Sequence, residues 1–254
     1  MTITVNGEEL LAYLLASVRI IAWLAVVPPF SSRSIPVMGK VVLSLGLALA
    51  VGPSLTDNLP TTGWELLVVT FTQVLVGMGM GFLTFLLFQA VAVAGSLIDL
   101  FGGFAVSTAW DPMSMNSNTV FGRFHQMLFT VLLFVTGGHL LVIGGLLRSF
   151  TLLPLGESPD LEGAPDILTT AFALFFTTAV QIALPMIAVL FITDLALALL
   201  TKVAPQLNAL NVMFAAKIGL TLLLIGMSFP VLPEAVDRLV DLANEASSAL
   251  LGGG

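Results

Sequence analysis

Long apolar runs separated by short polar stretches dominate the pattern of this 254-residue sequence. Each run is uncharged or carries a single charge, and Pro, Gly or charged residues mark its ends. The runs cover residues 10–27, 41–56, 66–98, 124–147, 167–200 and 218–233. Because a membrane-crossing helix needs about 20 predominantly apolar residues, the pattern predicts an all-α protein with roughly six apolar helical segments.

The C-terminal part of the chain has a different pattern. From Pro233 onward, polar and apolar residues each recur every three to four positions, as Asp237 with Asp241 and Val236 with Val240 illustrate. This periodicity predicts an amphipathic helix with Pro in its first turn. The helix is either a surface element or a contact with a neighbouring subunit.

The composition agrees with a membrane protein. The chain is 57% hydrophobic and only 9% charged, whereas a soluble domain has about 25% charged residues. It is therefore either embedded in a membrane or buried among other apolar chains. The net charge of -7 argues against a nucleic-acid partner, and the absence of Cys excludes a disulfide framework or a thiol nucleophile.

Two of the segments are too long for simple spans. Residues 64–98 as one helix would be about 52 Å long, whereas the hydrocarbon core of a bilayer is roughly 30 Å thick. Residues 166–200 have the same length and contain Pro185. Such segments suit kinked hairpins packed against protein better than an upright bundle in lipid.

Basic residues are distributed unevenly between the connections. The first, third and fifth connections hold five of them, namely Arg33, Lys40, Arg123, Lys202 and Lys217, against Arg148 and Arg238 elsewhere. For six spans, the positive-inside rule places those three connections in the cytoplasm and both termini on the other side.

Three charges lie within or at the end of apolar segments. Arg19 lies in the middle of the first segment, where a charge costs about 2.5–3.5 kcal/mol on insertion scales. It must therefore face protein, water or a carboxylate, and Asp99 and Asp194 are the candidate partners. We expect structural ion pairs that set packing or register, and the alternatives are a proton or ion relay or simple exposure at a helix end.

Gly77 and Gly81 have the small-x-x-x-small spacing that lets helix backbones approach closely. They predict a helix-packing contact. A phosphate-binding loop is the wrong interpretation, because no strand precedes these glycines and no Lys follows them.

Residues 99–123 are too polar to face lipid, yet they lie between two long apolar runs. Gly102 and Gly103 break a helix, and Asp111-Pro112 begins a turn. The small polar residues that follow are interleaved with the adaptable side chains of Met113 and Met115. Non-helical backbone at membrane depth survives only against protein or a watery cavity. The stretch is either an ordinary connecting loop or a re-entrant plug.

At these residues the chain resembles the FliR family, the export-gate subunits of flagellar and virulence type III secretion systems. The order and spacing of the motifs extend the resemblance over nearly the whole chain. In chain order the motifs are Arg19 with Pro28 and the turn to Pro36, Gly102-Gly103-Phe104, Asp111-Pro112, Thr136-Gly137-Gly138-His139, Ser149-Phe150 with Leu153-Pro154-Leu155-Gly156, and Pro185 with Asp194 and Ala204-Pro205-Gln206-Leu207-Asn208.

The resemblance implies a single FliR-like domain over residues 1–254, built of kinked helical hairpins in a membrane-associated export gate. Residues 1–150 would form a FliP-like part and residues 151–254 a FliQ-like part. Residues 106–121 would correspond to the plug loop of the family. The implied gate residues are Gly102, Gly103, Phe104, Val106, Trp110, Asp111, Pro112, Met113, Met115 and Phe121.

The resemblance also implies the setting. The partners would be FliP-like and FliQ-like subunits, an FlhB-like export protein, membrane lipid and unfolded protein substrates in transit. The location would be the bacterial inner membrane at the flagellar basal body, partly raised towards the periplasm. No cofactor, metal or enzymatic activity is expected.

Two other classes compete with an export gate. A six-span secondary transporter or channel for a small solute would show related halves with broken helices in matching places, and no such pairing is visible. A membrane-embedded enzyme needs convergent ionisable groups. His125 and His139 are 14 residues apart, and neither has a carboxylate within four positions.

Overall fold

The computed structural model describes residues 7–51, 59–104, 119–160, 162–203 and 209–252, with side chains from residue 213 onward in the last range. Within these ranges the chain forms eight α-helices and no strand, which confirms the predicted all-α class. The helices are α1 (Gly7–Val26), α2 (Val37–Val51), α3 (Gly63–Gly102), α4 (Val120–Val135), α5 (Gly138–Leu152), α6 (Ala164–Val203), α7 (Ala209–Leu224) and α8 (Leu232–Leu250), and a 3₁₀ turn (Ile225–Ser228) follows α7.

The fourth apolar run forms two helices, where the hydrophobic pattern predicts one segment. α4 ends at Val135, and Gly137 adopts a φ of 79° immediately before α5 begins. A side chain at this left-handed position would clash with its own backbone, and glycine has none. Gly137 therefore sets the break between α4 and α5.

The two overlong segments are single helices. α3 and α6 contain 40 residues each, which makes each of them about 60 Å long. By length and composition, α1, α3 and α6 qualify as membrane spans among the described residues, or five spans if each of two bent helix pairs counts as one. The six apolar segments therefore do not correspond to six equivalent crossings.

α3 begins with a capping box, in which two side chains satisfy the free N–H groups of the first turn. Glu65 Oε2 accepts hydrogen bonds from the backbone N–H groups of Thr61 at 2.9 Å and Thr62 at 3.2 Å. Thr62 Oγ1 in turn accepts from the N–H of Glu65 at 3.3 Å. These bonds fix where the longest apolar segment of the first half begins.

The predicted amphipathic helix at the C-terminus is confirmed as α8. Pro233 lies in its first turn, followed by the acidic Glu234. Val236, Leu239 and Val240 are fully buried, and the polar positions between them are exposed. The alternation every three to four residues therefore places one face of α8 in the protein core.

The contacts divide the chain into two units, neither of which is continuous in sequence. Unit 1 comprises Met1–Leu87, Gly137–Phe172 and Leu239–Gly254. Unit 2 comprises Phe88–Thr136 and Ala173–Arg238.

The core of unit 1 forms around α1, which packs against α2 and α3. Gly77 and Gly81 of α3 lie directly against α1. A methyl group on Gly77 would overlap the carbonyl oxygen of Arg19, and one on Gly81 would lie 3.1 Å from Cβ of Val26. The buried side chain of Trp23 belongs to the same core. The two glycines thus allow the backbones of α1 and α3 to touch.

The core of unit 2 contains the end of α3 and the start of α4. The rings of Phe88 and Phe129 pack edge to face with centroids 4.8 Å apart. Ile98 and Leu133 are buried, as is Met186 of α6. This unit contains the two ends of the segment that the sequence singles out as a gate.

Much apolar surface is left exposed by the fold. In α2, a helix of 15 residues, only Ser44 and Ala48 are buried. In the most apolar stretch of α6, only 22% of the residues are buried. Exposed apolar area of this extent is typical of a membrane protein or of a chain with further partners.

Gly77→Ala should lower the thermal stability of the chain. The added methyl group must displace the backbone of α1, and overpacking of this kind costs about 1–3 kcal/mol. Thermal aggregation of the detergent-solubilised chain measures the effect. Gly46→Ala is the matched control, because nothing lies within 4 Å of the added methyl group. Equal transition temperatures for the two variants would contradict the close approach of α1 and α3.

Candidate functional site

The predicted gate segment is described at its two ends only. Residues 105–118 lie outside the described part of the chain, and with them six of the predicted gate residues: Val106, Trp110, Asp111, Pro112, Met113 and Met115. Gly102, Gly103, Phe104 and Phe121 are described, and all four belong to unit 2. The described geometry of the site is therefore that of these two ends.

α3 ends at Gly102, as the double glycine predicts. Gly103 adopts a φ of 83°, and the N–H of Phe104 donates to the carbonyl oxygen of Asp99 at 3.0 Å. This left-handed residue and its return hydrogen bond form a helix C-cap. The chain turns away from the axis of α3 at this point.

Asp99 caps the next helix from the end of α3. Its Oδ2 accepts hydrogen bonds from the backbone N–H groups of Phe121 at 2.8 Å and Gly122 at 3.2 Å. Thr119, the N-cap residue of α4, makes no capping bond of its own. Its hydroxyl lies 2.8 Å from that of Ser96. The carboxylate of Asp99 is only 1% exposed. It caps the N-terminus of α4 from a different helix, in place of an N-cap side chain.

Two glycines bring α3 and α4 into contact beside this cap. A methyl group on Gly95 would overlap the carbonyl oxygen of Phe121, and one on Gly122 would overlap Oγ1 of Thr119. The rings of Phe104 and Phe121 pack edge to face with centroids 5.0 Å apart. The two ends of the segment between α3 and α4 are thus held together by a cap, a glycine contact and an aromatic pair.

Two buried polar atoms near this cap have no partner. His125 is fully buried, and its Nδ1 lies 2.9 Å from the carbonyl oxygen of Phe121. Its Nε2 and Oδ1 of Asp99 are buried without a hydrogen-bond partner among the described atoms. The described ranges contain no group of three His, Asp or Glu side chains that could hold a metal ion.

Arg19 is fully buried in unit 1, and within the described part of the chain neutral oxygens accept four hydrogen bonds from it. Nε donates to Oε1 of Gln73 at 2.7 Å. Nη1 donates to the carbonyl oxygen and the hydroxyl of Ser149 at 3.1 and 3.2 Å, and Nη2 donates to the carbonyl oxygen of Leu153 at 2.9 Å. The guanidinium carbon lies 4.3 Å from the ring centroid of Phe150.

The end of α5 supplies most of these acceptors. Ser149 lies in the last turn of α5, and Leu153 is its C-cap residue. The carbonyl groups at a helix C-terminus carry partial negative charge, so the helix end partly compensates the buried cation. The expectation of a carboxylate partner for Arg19 is therefore wrong within the described part of the chain, where its partners are neutral oxygens. The unpaired carbonyl groups at the end of α5 need hydrogen-bond donors, and Arg19 supplies them.

Asp194 forms a separate ion pair within unit 2. Lys217 Nζ lies 2.6 Å from its Oδ1, which joins α6 to α7. Both side chains are partly buried. A role for Arg19, Asp99 and Asp194 in helix register stays a prediction, and each of the three now has its own partners.

Sequence reasoning missed the partners of these charges. Gln73 interrupts the apolar run of α3, and its amide group also donates to the carbonyl oxygen of Leu155 at 2.9 Å. A lone amide inside an apolar run is the signal that identifies such a residue. The sequence contains no comparable signal for Ser149, because its backbone carbonyl accepts a hydrogen bond from Arg19 as its side chain does.

Comparison with known proteins identifies similar chains over most of the length. The family model described as "Bacterial export proteins, family 1" matches residues 10–243. The flagellar biosynthetic protein FliR of Escherichia coli K12 is 32% identical over 222 residues, which cover 87% of this chain and 85% of the relative. Its namesake in Pectobacterium carotovorum is 33% identical over 244 residues, covering 91% and 92%. That of Bacillus subtilis 168 is 26% identical over 245 residues, covering 94% of both chains.

Arg19→Met should destabilise the chain strongly. The change leaves Gln73 Oε1 and the carbonyl oxygen of Leu153 without a donor, and each buried orphan costs roughly 1–3 kcal/mol. Resistance to limited proteolysis in membranes measures the loss. Arg148→Met is the matched control, because Arg148 is an exposed arginine on α5. If both variants resist the protease equally, Arg19 does not hold unit 1 together.

Asp99→Ala should loosen the start of α4. Loss of an N-cap side chain costs about 0.5–2 kcal/mol, and the amides of Phe121 and Gly122 become free to exchange. Hydrogen exchange of a peptide covering these residues should accelerate. Glu65→Ala removes a comparable cap from α3 and should accelerate exchange only there. Unchanged exchange at α4 in Asp99→Ala would refute the cap.

Proposed function

The chain belongs to the FliR family of bacterial export proteins, and from that membership we propose that it is a core subunit of a protein-export gate. It is a helical membrane protein of the flagellar export apparatus, in accordance with its relatives and its long apolar helices. In the proposed gate it joins FliP-like and FliQ-like subunits to form a closed channel. Unfolded substrates pass through that channel when it opens.

The shared anchoring of the two ends of the gate segment is the observation that carries this proposal. Asp99 of α3 caps α4, and Phe104 packs on Phe121. Such contacts would hold the two ends of a plugging loop together in the closed gate. Residues 106–121 are the plug in this proposal, with Gly102 and Gly103 as its hinge. The sequence predicts Val106, Trp110, Asp111, Pro112, Met113 and Met115 as residues of this plug.

The exposed apolar surface supports an assembly of several chains. Only two residues of α2 are buried, and only 22% of the most apolar stretch of α6. Two helices of about 60 Å are also too long for a hydrocarbon core of roughly 30 Å. Neighbouring subunits would cover the surface that lipid does not. In the proposed assembly, residues 1–150 act as a FliP-like part and residues 151–254 as a FliQ-like part.

The proposed location is the bacterial inner membrane at the flagellar basal body, with part of the gate raised towards the periplasm. Helices longer than the bilayer is thick suit a position partly outside it. An FlhB-like export protein completes the proposed set of partners.

The proposed work of the chain is conformational, and another component supplies the energy. A secondary transporter for a small solute is the competing function. Purified chain alone should then move a solute in liposomes, whereas a gate subunit alone should not. An enzyme would be identified by activity of the isolated chain.

Co-purification of the tagged chain from membranes, followed by mass determination of the complex, tests the assembly. We expect a particle much heavier than the 26.7 kDa chain that contains further membrane proteins. A native particle with this chain as its single component would contradict the export-gate proposal.

Deleting residues 111–118 should make the assembled gate leak small ions, because the deletion removes half of the proposed plug. The conductance of membranes that contain the complex measures the leak. Replacing Met113 and Met115 by Leu preserves apolar volume and should preserve closure, so this double variant is the matched control. Unchanged conductance after the deletion would remove the plug from the proposal.

A further inference from the structure

Unit 2 contains a polar groove in an otherwise apolar chain. It lies between α3 and α4 and has a volume of about 250 Å³. Its side chains are mostly amides and hydroxyls together with one guanidinium group. The polar residues that line it are Gln89, Ser96, Thr119, Arg123 and Gln126.

The polar residues of α4 form a continuous stripe. Thr119, Arg123, Gln126 and Thr130 follow one another at spacings of four, three and four, which place them on one face of the helix. Arg123 and Gln126 are exposed in the fold. Gln126 lies about 10 Å along the helix axis from Thr119, so the stripe continues well beyond the first turn of α4.

A second exposed face of α4 is apolar. Val131 and Val135 are 58% and 78% exposed. At 3.6 residues per turn, Val131 and Gln126 point about 140° apart around the helix. α4 therefore presents one face suited to lipid or an apolar partner and another suited to water.

Covering the polar face with lipid would cost free energy. Burying an amide without a hydrogen-bond partner costs several kcal/mol in hydrocarbon, and polar residues in membrane segments face protein or a watery cavity. α4 and α5 together form one of the two bent helix pairs that qualify as membrane spans. The groove and stripe must therefore border water or another polar surface.

From this arrangement we propose that the groove lines the water-filled channel of the gate. We further propose that it contacts the backbone of an extended polypeptide in transit through this channel. Neutral amides and hydroxyls satisfy the N–H and C=O groups of any sequence. The described lining contains no carboxylate and no deep apolar pocket that would select particular side chains. The inference rests on the proposed export function and assigns the substrate-facing surface to named residues.

The absence of Cys from the chain makes the test direct. Gln126→Cys and Gln89→Cys place single thiols in the groove on two different helices, and Val131→Cys places one on the apolar face as the matched control. A membrane-impermeant maleimide is applied to cells with the assembled apparatus during active export. We expect both groove thiols to react at least about tenfold faster than the control, because an aqueous thiol forms the reactive thiolate.

A substrate with a stably folded C-terminal domain is then used to stall export. The polypeptide held in the conduit should slow labelling at both groove positions and leave the control unchanged. If the groove thiols react no faster with the maleimide than the control thiol, the groove does not line a water-filled channel. Rapid labelling without protection by the stalled substrate overturns the contact with the polypeptide.

A motility assay distinguishes failure of the groove assignment from failure of the proposed export function. A strain that lacks the chain should be non-motile, and each Cys variant should restore swimming. If the strain without the chain swims, the export function itself fails. If the variants restore swimming but label like the control, only the assignment of the groove fails. Two positions on two helices provide a result even if one variant does not assemble.

Discussion

The burial of opposite charges against opposite helix ends organises this apolar chain. Asp99 caps the N-terminus of α4, and Arg19 donates to the carbonyl groups at the C-terminus of α5. Each charge has the sign that complements its helix end, since the N-terminus of a helix is partially positive and the C-terminus partially negative. A helix end that water cannot reach needs such a hydrogen-bonding partner, because unsatisfied backbone groups in hydrocarbon cost several kcal/mol.

These caps have a structural consequence for a pair of short helices. α4 and α5 contain 16 and 15 residues and are separated by the break at Gly137. Their outer ends would otherwise expose free N–H and C=O groups next to apolar segments. Asp99 secures α4 within unit 2, and Arg19 secures α5 within unit 1. Each of the two helices is thus held at the end that lies away from the break.

The rest of the surface fits a subunit of a larger assembly. The apolar faces of α2 and α6 need lipid or protein to cover them, whereas the groove between α3 and α4 needs water or polar groups. A chain with both kinds of surface suits the boundary between a membrane and an aqueous conduit. The apolar faces need no charged residues, in accordance with a charged fraction of only 9%.

The sequence by itself determined the class of protein, the all-α fold, the long helices, the amphipathic α8 and the helix end at Gly102. These follow from local rules, because apolar run length, three- to four-residue periodicity and glycine act within a few residues. Only the tertiary structure decided the partners of the charges. Arg19 joins oxygens 54 and 130 residues away, and a backbone carbonyl has no signature in a sequence. The run over residues 124–147 likewise reads as one apolar segment, and the left-handed conformation of Gly137 splits it into two helices.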